Sequence, residues 1–154
     1  MNTKSFLELV LGHEGHYCVW ANRTATGEAP EIKQKFYSSV TELVGAAEEF
    51  DANGWNSFFA LATYEEAGSR KADNVKWMKS FFLDLDCGPN KEFDTQRVAL
   101  QELQAFCKEH KLPMPTIINS GRGLHVYWIL SQAVSRDEWW PVAERLKKLC
   151  EDSG

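Results

Sequence analysis

Apolar and polar positions change period several times along the chain, and each change marks an element. Over residues 77–86 the pattern runs in twos, the signature of a strand. Phe81, Leu83 and Leu85 fall on one face of it, and Phe82, Asp84 and Asp86 on the other. Residues 17–20, 35–37, 57–64, 116–120 and 124–130 read as further strands. In the last, His125, Tyr127 and Ile129 share one face, and Leu124, Val126, Trp128 and Leu130 share the other. Helical spacing groups Phe6, Leu7, Val10 and Leu11 after a Thr3 cap, with Gly12 as the stop. It groups Leu43, Ala46, Ala47 and Phe50 after the capping box Ser39-Val40-Thr41-Glu42, with Asn53-Gly54 as the end. A third helix, capped by Asp94 and stopped at Leu112-Pro113, buries Ala99, Leu103, Phe106 and Cys107. A fourth follows the capping box Ser135-Arg136-Asp137-Glu138. It buries Trp139 or Trp140, then Val142, Ala143, Leu146, Leu149 and Cys150. Residues 22–30 read as a polar loop, 65–73 as a mobile surface loop, and 87–93 as a turn.

From Phe81 onward the order is β-α-β-β-α. This predicts an α+β fold, an RNA-recognition-like antiparallel sheet with helices packed on one face, preceded by an additional αββαβ segment. One more strand belongs beside the carboxylate strand, and the sequence reaches Gly154 where that strand should begin. The expectation is therefore a single domain, residues 1–154, truncated at its C-terminal end, with one edge of the carboxylate strand left open.

A hydrophobic content of 44% with six Trp supports a real core. The 22 acidic residues outnumber the 17 basic ones, so a nucleic-acid interface would have to be a local patch rather than a general surface charge. Cys18, Cys87, Cys107 and Cys150 are scattered without a CxxC, which reads as reduced thiols of a cytoplasmic protein. No apolar run approaches membrane-spanning length, so no membrane partner is expected.

The candidate chemistry lies between residues 79 and 130. Neighbours on one strand face stand about 6–7 Å apart, so Asp84 and Asp86 lie side by side in a geometry suited to divalent cations. Asp is disfavoured inside strands. Burying two close together costs several kcal/mol unless a cation or donors compensate. Gly121-Arg122-Gly123 is a hairpin turn, Gly supplying positive φ. Its amides, with the Ser120 hydroxyl and the Arg122 guanidinium, also make an anion nest. His125 follows on the adjoining strand, and Lys91 is close enough to the carboxylate strand to reach a phosphate. A triphosphate fits that combination. His13-x-x-His16 with Cys18, and Cys107-x-x-His110, are weaker zinc candidates without a partner pair at finger spacing. Arg70, Lys71 and Lys76 read as a solvated charged loop.

Phe82-Leu83-Asp84-Leu85-Asp86 resembles the first motif of the archaeo-eukaryotic primase superfamily, the primase-polymerases. Ser120-Gly121-Arg122-Gly123-Leu124-His125 resembles its second motif. The flanking residues are most similar to the virus- and mobile-element-borne branch. The resemblance implies that Asp84 and Asp86 bind catalytic Mg²⁺ or Mn²⁺. It also implies that Ser120, Gly121, Arg122, Gly123 and His125 bind the incoming triphosphate. The family's third motif, a metal-binding acid on a later strand, has no counterpart: Asp137, Glu138, Glu144, Glu151 and Asp152 lie on or beside the last helix.

The expected function is that of a DNA primase/polymerase-type nucleotidyltransferase with a two-metal mechanism. Its partners would be nucleoside triphosphates and a single-stranded DNA template or primer, in the cytoplasm of a bacterium or of a virus-infected host cell. Family members often continue into a helicase, so a longer form is expected to work with one. The alternatives are a rolling-circle initiator or relaxase-like nuclease, and a catalytically inactive nucleotide- or nucleic-acid-binding module or fragment.

Overall fold

The computed structural model describes residues 1–153; the expected strand position at Gly154 lies outside them. The fold is α+β, with antiparallel strand pairs and four α-helices. The chain forms two compact units, each from two segments. The first comprises Met1–Lys79 with Ser131–Pro141, the second Ser80–Leu130 with Val142–Gly154.

In the first unit, α1 (Thr3–Val10) begins at Asn2, whose side chain caps Ser5 N–H. Thr3, the expected cap, is already helical. Strand β1 (Tyr17–Arg23) is central, flanked by β2 (Glu31–Tyr37) and β3 (Asn56–Phe59), all antiparallel. Helix α2 (Val40–Ala52) starts at Ser39, whose hydroxyl accepts from Glu42 N–H, and buries Val40, Leu43 and Phe50. The Glu42 carboxylate reaches Ser38 N–H rather than Ser39, so half of the expected capping box forms.

The apolar run 57–64 is not one strand. It gives β3 and then β4 (Thr63–Tyr64), which pairs with the start of β5 (Val75–Asp86). Ala60 N–H still bonds Cys18, but Tyr64 pairs with His16. The chain thus changes partners within a run whose hydrophobicity never changes. Strand β4 covers β5 at Val75 and Trp77, at the opposite end from Asp84 and Asp86. The loop expected to be mobile is laced by Asn74, whose amide donates to the carbonyls of Glu66 and Ser69 and accepts from Glu66 N–H.

In the second unit, the rest of β5 is hydrogen-bonded to β7 (Gly123–Val134), and β7 to β6 (Thr116–Asn119). Helix α3 (Gln96–Glu109) buries Ala99, Leu103 and Cys107. Its cap is Thr95 rather than Asp94, the hydroxyl accepting from Val98 N–H at 3.2 Å. Helix α4 (Arg136–Asp152), whose first residues belong to the first unit, forms half of its expected capping box: Glu138 N–H donates to Ser135 Oγ, while the Glu138 carboxylate accepts from the Ser135 hydroxyl. None of its side chains is buried, contrary to the expectation for Val142, Ala143, Leu146, Leu149 and Cys150. The apolar stripe is there, but Val142, Leu146 and Leu149 line an open groove of about 460 Å³.

Thr95→Ala removes the cap that starts α3. It should lower stability by about 1 kcal/mol, read as a shifted urea midpoint with unchanged slope.

Candidate nucleotide-binding site

The outer face of β5 carries the expected alternation. Phe82, Asp84 and Asp86 are exposed, while Phe81 is buried and Leu83 and Leu85 are half-buried. The two carboxylates are 54% and 61% exposed, which corrects the picture of buried, crowded acids. Water solvates both, so their presence in a strand does not by itself demand a cation. His125, on β7, places Nε2 3.7 Å from Asp84 Oδ1. The Phe82 ring stands edge-on to His125 at 5.4 Å and tilted against Tyr127 at 5.0 Å. Burial, and then the Asp84 carboxylate, push the Tyr127 phenol up to about 12. Lys91 Nζ lies 3.9 Å from Asp86 Oδ2. The Cys87 thiol between these groups is raised by desolvation and by Asp86 and Asp84, so it stays protonated at neutral pH.

The hairpin between β6 and β7 is a two-residue turn closed by Ser120 N–H on the Gly123 carbonyl, at 3.1 Å. Gly121 has φ +89°, as the first central position of a type II′ turn requires. Two of the three amides read as an anion nest are already used. Gly121 N–H donates to Asn119 Oδ1 at 2.8 Å and Gly123 N–H to Ser120 Oγ at 3.0 Å. The hydroxyl of Ser120 is therefore part of the turn.

Gly123 is glycine for a different reason from Gly121. Its φ is ordinary, but a Cβ there would overlap the Leu85 carbonyl oxygen and come within 3.3 Å of the Asp86 Cα. This close approach seats the turn against the end of the carboxylate strand, where Cys87 N–H donates to the Arg122 carbonyl. Gln96 completes the brace, its Nε2 donating to Asn119 Oδ1 at 2.8 Å and to the Gly123 carbonyl at 3.1 Å. Gln96 and Asn119 escaped the sequence reading because nothing in their local pattern announces a role; the contact joins residues 23 apart.

The result is a cavity of about 440 Å³ lined by Asp86, Lys91, Asp94, Gln96, Asn119 and Arg122, among others. It brings together Asp86, Lys91, Gly121 and Arg122 of the expected set. Asp84 and His125 form a pair of their own, and Ser120 and Gly123 support the turn. No group of three or more His, Cys, Asp or Glu among the described residues is arranged to hold a metal. Two exposed carboxylates still fit Mg²⁺, which typically takes one or two protein carboxylates and completes its shell with water and substrate phosphates. The weaker zinc candidates do not assemble. Cys18 and Cys107 are core residues whose thiols burial pushes up, Cys18 to about 11.

The chain is similar to a replication protein from Clostridium perfringens, with 27% identity over 106 residues. The match covers 68% of this chain and a quarter of that protein's length. No protein-family model matches the chain, and no solved structure does. No helix among the described residues is long and apolar enough to cross a membrane.

Gly123→Ala must push the turn away from Leu85 and should cost about 3 kcal/mol. Gly121→Ala meets no neighbour within 4 Å and pays only for its positive φ, about 1 kcal/mol. Thermal unfolding of the two variants checks the order.

Proposed function

We propose that the chain carries the nucleotide-binding part of a primase-polymerase-type nucleotidyltransferase acting in replication. The observation that carries this reading is the junction of the Asp84/Asp86 strand with the Lys91/Arg122 cavity. Carboxylates for divalent cations and cations for phosphates meet at Asp86, which belongs to both. The name of the Clostridium perfringens relative supports a role in replication.

Asp84 and Asp86 would hold Mg²⁺ or Mn²⁺. When bound, such ions make a 3′-hydroxyl more acidic and stabilise the departing pyrophosphate. Lys91 and Arg122 offset the charge of the triphosphate, Arg122 from the tip of a turn that Gln96 and Gly123 keep rigid. His125, oriented between Asp84 and the Phe82 ring, offers an imidazole nitrogen to a phosphate oxygen. The exposed Phe82 ring gives a base or sugar an apolar surface beside the carboxylates. The substrates would be nucleoside triphosphates and a single-stranded template or primer. A rolling-circle nuclease reading needs two clustered metal histidines, whereas His125 stands beside Asp84 and the Phe82 ring.

Asp84→Asn and Asp86→Asn should each lower metal-dependent incorporation of a labelled nucleotide by at least about a hundredfold. The fold should survive, because both side chains are exposed. Undiminished incorporation in either variant excludes the metal role.

His125→Ala should weaken binding of a nucleoside triphosphate more than that of the monophosphate, measured by calorimetric titration. Equal loss for the two ligands would make His125 a support for Asp84 and Phe82 instead.

A further inference from the structure

The first unit carries a second charged feature, remote in sequence from the carboxylate strand and not used by the proposed chemistry. Arg23 on β1 stands at the level of Glu31 on β2, and Lys33 and Lys35 follow at two-residue steps. Residues paired in register or two apart on a strand share a face, so the three cations form a row. Each step is about 7 Å, and the row is about 14 Å long.

The row is built against aromatic rings. The Arg23 guanidinium lies 4.6 Å and the Lys33 ammonium 4.8 Å from the Trp55 ring centre, and Lys35 lies 5.6 Å from that of Phe50. Cation–π contact holds such head groups in place without neutralising them. Arg23 is also fixed by Glu31, with Nη2 to Oε1 at 3.1 Å. The side chains line a groove of about 270 Å³ that also includes Tyr37, Glu49 and Asn53. Three cations face two carboxylates, Glu31 and Glu49, in a chain whose net charge is −5.

We infer that this groove binds the sugar-phosphate backbone of a single-stranded nucleic acid. A lone anion would need one converging pocket. Here the backbone positions that carry the cations are spread along a strand at a step on the order of the phosphate spacing in an extended chain, with Arg23 and Lys33 sharing the Trp55 ring, Lys35 on Phe50, and β2 residues Glu31 to Lys35 all exposed. Trp55 is only 6% exposed and already covered by cations, so the groove recognises phosphates rather than stacking bases. The recognition is therefore insensitive to sequence and sensitive to salt.

The test is fluorescence anisotropy of a labelled oligothymidylate with the whole chain, in chelator and without nucleoside triphosphate. Failure of the nucleotidyltransferase reading leaves this measurement untouched. Lys33→Gln/Lys35→Gln keeps much of the aliphatic stems and should retain the parent melting temperature. It should weaken binding about tenfold and flatten the slope of log K against log salt by about 1.4, two phosphate contacts' worth. Lys147→Gln/Lys148→Gln removes the same charge from α4 and should bind as the parent does. Inorganic phosphate at matched ionic strength should compete no better than chloride. The inference is overturned if the parent chain does not bind at low salt, if the β2 variant binds unchanged, if the α4 variant loses as much, or if phosphate alone displaces the strand.

Discussion

The candidate site depends on one contact in which no side chain takes part: the backbone of Gly123 against the Leu85 carbonyl. A strand face presents its side chains, but here two strands meet at a level where one of them has none. That places the turn at the very end of the carboxylate strand, and the hydrogen bond from Cys87 to Arg122 follows from it. Gln96 then ties the first turn of α3 to the same point, so β5, β6, β7 and α3 converge on a few ångströms of backbone. The charged groups around the cavity inherit their positions from this convergence.

Solvent sets the electrostatic character of the site. Asp84 and Asp86 are more than half exposed, so the face is acidic without being strained. The apolar contribution comes from Phe82 and the buried Tyr127, which flank the acids and lower the polarity on one side only. Tyr127 is held protonated by burial and by Asp84 and brings no further charge to the face at physiological pH.

Much of this arrangement was legible from residue order. Period-two alternation placed Asp84 and Asp86 on one face, and the Gly-Arg-Gly sequence marked a turn whose Gly121 does take positive φ. Period and capping residues located all four helices, with starts displaced by a residue at Asn2 and Thr95, because Asn, Asp, Ser and Thr are near-equal caps when adjacent. What escaped was long-range. Hydrophobicity cannot say that residues 57–64 exchange one strand partner for another. Nor can it say that the stripe on α4 faces a groove rather than a filled core. Glycine at 123 was assigned to turn flexibility, whereas the requirement comes from Leu85, 38 residues earlier, and a close approach leaves no mark in local sequence. Gln96 and Asn119 were invisible for the same reason.

The Lys91–Asp86 pair gives the cavity a property that neither residue has alone. Both side chains are more than half exposed, and at 3.9 Å such an attachment is worth at most about 1 kcal/mol. The ammonium is therefore held loosely. A cation with a stronger hold on Asp86 would displace it and leave a positive charge at the rim of the same cavity. An anion entering after that exchange meets a lysine with no competing carboxylate. In this way the weakness of one surface ion pair makes the occupancy of the acidic side and the basic side interdependent.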